Sequence, residues 1–261
     1  MAMSSRMKIA LYGSLAMVVA VGIRLWLLER ERNAPDKAET ATVQTKTDDD
    51  DLVFLKKLRP SSYKDLHDVV GKPLWVSAGG QMDYYPYAGH KVDYAHSAGI
   101  LLGAQELEVK DTAEAKAPKS AAFRIPAGDH QYLLVFSLPA ATTPGASANA
   151  DVPAGQTDAD KLYAVPVGYG EHGQDTFYTD EIFFYDNPHT LYNYWPKTVW
   201  QAVDAHRAVL GMNERQTQLA LGQISKSESA DYGNRTVSYD NRGHAVDVTY
   251  LNNKATRIDP R

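Results

Sequence analysis

"GMNERQTQLALG", Gly211 to Gly222, is the stretch that decides how the second half of the chain folds. Gly211 is placed to stop one helix, because glycine takes the left-handed backbone of a helix end without steric cost. Asn213 then offers its side-chain oxygen to the next helix, Gln216 completes a capping-box pattern, and Gly222 closes that helix. Upstream, "DNPHTLYNYWPKTVWQAVDAHRAVL" begins at Asp186 with helical spacing. Pro196 suits a first turn there, and Val199, Val203, His206 and Leu210 fall on one face. Downstream, "RTVSYDNRGHAVDVTYLNNKATRI" reads as three strands turning at Asp240–Gly243 and Asn252–Asn253, both familiar hairpin chemistry. Residues 186–261 therefore predict two helices followed by a three-stranded antiparallel sheet.

Before Asp186 the style is different. "DLHDVVGKPLWVSAG", "GILLGAQELEVKD", "AFRIPAGDHQYLLVFSLP", "KLYAVPVGYG" and "DTFYTDEIFFYD" are short β-rich runs cut by glycine, proline and aspartate. That punctuation predicts a small barrel or sandwich over residues 52–185, with an SH3-like character. Residues 139–160, "PAATTPGASANADVPAGQTDAD", hold no apolar residue larger than valine and read as a disordered loop. The fold class expected for the whole chain is α+β.

The N-terminus carries Arg6 and Lys8 ahead of an uncharged run, Ile9–Ile23, which continues past Arg24 to Leu28. With Arg24 snorkelling, that is about the 20 residues a membrane helix needs. Residues 1–30 thus read as an uncleaved signal anchor, with a cleavable signal peptide as the rival. Residues 31–51 are polar and acidic and read as a flexible tether, with Asp48–Asp51 a solvated charge run. The expected location is the inner membrane, single-pass, with the globular part in the periplasm.

Composition narrows the chemistry. The 261 residues include no cysteine, which excludes disulfides, thiolate metal sites and a cysteine nucleophile. A net charge of −5 without a basic patch gives no footprint for a nucleic-acid partner. Sixteen tyrosines against six phenylalanines favour wet-edged strands and contact surfaces.

From Thr198 to Ile258, the residues Gly211, Met212, Gln216, Leu221 and Gly222, followed by the β-meander, resemble the SmpA/OmlA (BamE-like) family of envelope proteins. In that family a Gly-Met turn opens a short helix ending in Leu-Gly, with a sheet packed over the helix pair. Here Asn213 stands where threonine is usual, and the family's lipid-modified cysteine has no counterpart. The resemblance implies an envelope setting and a protein-contact module.

Four candidate sites remain. "YYPYAGHKVDYAH", Tyr84–His96, sets His90, Asp93 and His96 at metal-like spacing, but Pro86 and Gly89 break any helix. On a strand the three split between faces, so the stretch reads first as a tyrosine-lined hairpin with "YAGHK" as its turn. "GYGEHG", Gly168–Gly173, has the letters of a dinucleotide motif, yet strand follows it and the glycines read as hairpin residues. Asp180 and Glu181 adjoin on an expected strand and so point apart. The junction "DEIFFYDNPHTLYNYWPKTVW", Asp180–Trp200, is dense in aromatics that form either a buried seam or an exposed partner groove. The candidate contact surface is Tyr84, Tyr85, Tyr87, Tyr94, Tyr192, Tyr194 and Trp195. The expected function is a non-enzymatic membrane-anchored module binding another envelope protein, without cofactor, metal or catalytic residues. Alternatives are a ligand-binding or metal-dependent hydrolytic domain around His90, Asp93 and His96, and a cell-wall-binding β-domain.

Overall fold

The computed structural model describes residues 49–78, 82–118, 130–139 and 161–261, all within one compact unit, Asp49–Arg261. The expected anchor at 1–30, nearly all of the tether and residues 140–160 of the expected loop lie outside the described residues.

The larger of two antiparallel sheets has nine strands. They are β1 (Pro73–Val76), β2 (Asp83–Ala88), β3 (Lys91–Val92), β4 (Gly99–Ile100), β5 (Glu106–Lys116), β6 (His130–Ser137), β7 (Tyr163–Glu171), β8 (Gln174–Phe177) and β9 (Phe183–Phe184). Their order is β3-β2-β7-β6-β5-β1-β9, with β4 added to β2 and β8 to β7. β6, "HQYLLVFS", is central and buried after its first residue. Its side chains alternate between two apolar layers, as a strand's must. Tyr132, Leu134 and Phe136 join the main core with Leu74, Val109, Val165 and Val167, while Leu133 and Val135 meet Ala164 on the other face. The main core is closed by Leu66 and Val69. Leu66 ends helix α1 (Tyr63–Leu66), which Ser62 and Asp65 start with a reciprocal capping box.

The second sheet is a meander of β10 (Ile224–Ser227), β11 (Thr236–Tyr239), β12 (Val246–Leu251) and β13 (Lys254–Pro260). Two short helices, α2 (Thr179–Ile182) and α3 (Pro188–Leu191), lead from the first sheet towards α4 (Lys197–Asp204) and α5 (Glu214–Leu221). Val199 and Val203 of α4 and Leu219 of α5 share a core with Met212, Tyr239, Val248 and Tyr250. Asn213 and Gln216 form the reciprocal cap read from the sequence, and Gly222, φ +90°, ends α5. Asn252 and Asn253, φ +52° and +55°, make the expected β12–β13 turn with both central residues left-handed.

The fold class differs from the α+β expectation. The described residues are mostly antiparallel β, and their five α-helices run to eight residues at most. No helix among them is long and apolar enough to cross a membrane. The nine-stranded sheet follows an open path, without a β3–β9 pair to close a barrel among the described residues. The C-terminal sheet has a fourth strand, β10, whose exposed "ISKS" lacks the alternation that marks a half-buried strand. The first expected helix stops at Asp204 rather than at Gly211. His206 then takes φ +49°, so it and Leu210 leave the helical face that spacing assigned them.

Candidate functional site

The chain enters the described unit as an arm, 49–59, laid across the aromatic junction: one 3-10 turn, Asp49–Leu52, followed by irregular chain without further helix or strand. Exposure alternates along it: Val53 and Leu55 pack on the C-terminal core, while Leu52 is 60 % and Phe54 91 % exposed. From Val53 to Leu55 the split follows the alternation of non-helical chain, in which successive side chains point to opposite sides, and Leu52 closes the 3-10 turn on the exposed side. Both ends are pinned. At the far end, the backbone N–H groups of Leu58 and Arg59 donate to the Asp180 carboxylate at 2.8 and 3.0 Å, which also accepts from the Tyr185 hydroxyl at 2.8 Å. Lys56 pairs with Asp186 at 2.5 Å.

At the near end Asp50 is only 2 % exposed. Its carboxylate accepts from the Tyr194 hydroxyl and Trp195 Nε1, both at 2.6 Å, and from Asn213 Nδ2 at 2.7 Å. Arg215 Nη1 donates to its backbone carbonyl at 2.9 Å. Two of these donors are held from behind. Trp195 stacks on Tyr192 and packs against Trp200, and Asn213 spends its Oδ1 on the Gln216 N–H as the cap of α5. Burial, and then the neighbouring Asp50 carboxylate, push the Tyr194 phenol up. This is a built carboxylate socket. An uncompensated buried carboxylate is costly, and here three side-chain donors offset that cost.

The aromatic junction forms a seam. Phe183, Phe184, Tyr192, Trp195 and Trp200 are buried, and Trp75, Ala78 and Ala104 from the first sheet region pack on the C-terminal core. The seam is tight: a Cβ added at Gly103 would sit 2.0 Å from the Leu219 carbonyl oxygen of α5.

The sequence-derived contact residues are therefore dispersed. Tyr84 is in the main core with Phe136 and Tyr163. Tyr85 points to the opposite face, where it meets Tyr94, whose hydroxyl donates to the buried Gln131. Tyr87 packs on the Leu133–Val135 layer. Tyr192 and Trp195 belong to the seam, and only Tyr194, 44 % exposed, reaches solvent substantially.

The "YAGHK" turn lies between β2 and β3, with His90 at φ +59°. His96 Nδ1 pairs with Asp93 at 2.8 Å on the surface, and among the described residues no three His, Cys, Asp or Glu side chains are grouped to share an ion. "GYGEHG" runs off β7 into a turn at His172–Gly173, and β8 returns. Beside it an open cleft of about 360 Å³ is lined by His130, Tyr132, Glu171, His172 and Asp175. Tyr132 is already committed there. Its hydroxyl donates to Asp175 at 2.6 Å, pushing its pKa up to about 12, and its ring lies between Tyr63 and Phe177. Asp180 and Glu181 sit on α2 rather than on a strand. His206 is held below its usual pKa by burial and then by Arg242, with Nδ1 unpartnered among the described residues.

Asp50, Leu52 and Phe54 are the site residues that sequence reading missed, and Asp180, singled out beside Glu181, instead holds the backbone of Leu58 and Arg59. "LVFL" is apolar throughout, so its sequence marks a sticky segment without saying which side chains pack and which stay bare, and nothing in "DDDD" singles out Asp50.

No family model, curated protein or solved structure matches this chain. None of these comparisons bears on the expected resemblance of Thr198–Ile258 to the SmpA/OmlA family.

Proposed function

We propose that this chain is a non-enzymatic protein-binding module of the cell envelope, and that it meets its partner through the outer face of the arm. One observation carries the reading: Phe54, 91 % exposed, sits on a segment fixed at both ends. Leaving such a side chain in water forfeits about 1.5–3 kcal/mol that burial provides. Leu52 shares that face, and Tyr194 lies against the arm through its bond to Asp50. A clustered apolar surface with an aromatic anchor is the usual core of a protein interface. The envelope setting draws on the apolar run Ile9–Leu28 and on the SmpA/OmlA resemblance.

A photo-crosslinking residue at position 54 tests this in the native envelope. A discrete adduct with another envelope protein is expected there, absent when the probe sits at exposed Lys72 and lost in Leu52→Ser. Adducts only with a second copy, the same adducts from position 72, or none at all would overturn it.

A further inference from the structure

The joint between arm and body is strained. Arg59 holds φ +50° immediately before Pro60, although the residue before a proline is pushed towards extended backbone. Non-glycine residues persist in that region only where their surroundings hold them. Here the holder is Asp180, which takes the N–H groups of Leu58 and Arg59. Beyond Pro60 the chain is fixed at once, since Ser61 and Ser62 are tied to Asp65. The arm is thus a segment with a specific socket at one end and a single strained hinge at the other.

We propose that the socket also takes the arm of a second copy, giving arm-exchanged dimers in which Asp50 of one chain sits among Tyr194, Trp195 and Asn213 of the other. Three features point to this occupant. The socket's complementarity to the arm is already built, so exchange keeps the same hydrogen bonds and the Val53 and Leu55 contacts. Opening the hinge releases the Arg59 backbone in both copies. Leu52 and Phe54, bare in the single chain, are carried to the boundary between copies, where a surface can cover them. Opposing exchange is the short connection, which presents the arm to its own socket at an effective concentration on the order of millimolar. Exchange is therefore concentration-dependent and sensitive to the hinge.

The proximity of Lys56 to Asp186, 2.5 Å, provides the readout, because a carbodiimide joins such a pair as an amide of zero added length. Full-length ¹⁵N-labelled and unlabelled chains are refolded together from urea in mild detergent, cross-linked, digested and weighed. Total Lys56–Asp186 product reports docked arms, so a lack of mixed pairs cannot come from failed folding. At about 0.5 mM chain we expect roughly a tenth or more of the product to join heavy and light peptides, falling at least about tenfold at 5 µM. Arg59→Gly, which accepts φ +50° without strain, lowers the mixed fraction at least about threefold while total product holds. Only same-isotope pairs at both concentrations, or a mixed fraction unmoved by Arg59→Gly, would overturn the proposal. Partner capture at position 54 is read separately, so either result can fail alone.

Discussion

Replacing Asp50 with alanine tests whether one buried carboxylate holds the arm to the body. Hydrogen bonds to a charged group contribute about 1.5–3 kcal/mol each, and Asp50 accepts three from side chains. The full sum overstates the loss, because a freed arm lets water reach Trp195 and Asn213. The ceiling is the free energy of docking the arm, and about 3 kcal/mol is the expected loss. With a urea slope of about 2.5 kcal/mol per molar, the unfolding midpoint falls by about 1.2 M. Indole emission shifts to the red before the main transition as Trp195 loses its partner. Asp50→Asn separates charge from shape. Its carbonyl can still serve Trp195 and Tyr194, but its amide meets Asn213 Nδ2, which cannot turn away without giving up the Gln216 cap. About half the alanine effect is expected. A midpoint shift below about 0.3 M for Asp50→Ala, with emission unchanged, would refute the socket as the arm's main anchor.

Other substitutions probe the seam and the second core. Gly103→Ala drives a methyl into the Leu219 carbonyl and should cost upwards of about 2 kcal/mol in denaturant unfolding, whereas Gly243→Ala, with open space around it, loses only what its φ of +79° demands. Glu214 is fully buried and accepts from Gly233 N–H and the Arg235 guanidinium. Glu214→Leu alone should lose about 3–5 kcal/mol by stranding Arg235, and Glu214→Leu with Arg235→Met should recover much of it in a double-mutant cycle. His206 has a depressed folded pKa, so the unfolded chain binds its proton first. Stability is whole above about pH 6.5 and falls as pH drops from there through the folded pKa. His206→Gln should flatten that part of the pH–stability curve, measured as urea midpoints between pH 7.5 and 5.

Local signals were read well where neighbours in sequence are also the physical partners. Asn213 and Gln216 cap each other across three residues, and the Asn252–Asn253 turn needs only its own backbone. Tyr84 and Tyr85 face opposite ways, as strand alternation requires. Reading failed where apolar spacing was ambiguous. Val199, Val203, His206 and Leu210 fit a helix, yet the chain leaves it after Asp204 and Leu210 ends exposed. β10 was invisible because its outward residues are polar and its place is set by pairing with β11.

Residues a few positions apart are held together by the chain itself, so glycine, asparagine and alternating apolar side chains were enough to determine caps, turns and most strands. Tertiary structure alone decided that Asp50, within a run of four aspartates, is buried. Its side-chain donors lie 144 to 163 positions further along, from Tyr194 to Asn213. A carboxylate's fate depends on what surrounds it in space, and no local pattern encodes partners that distant.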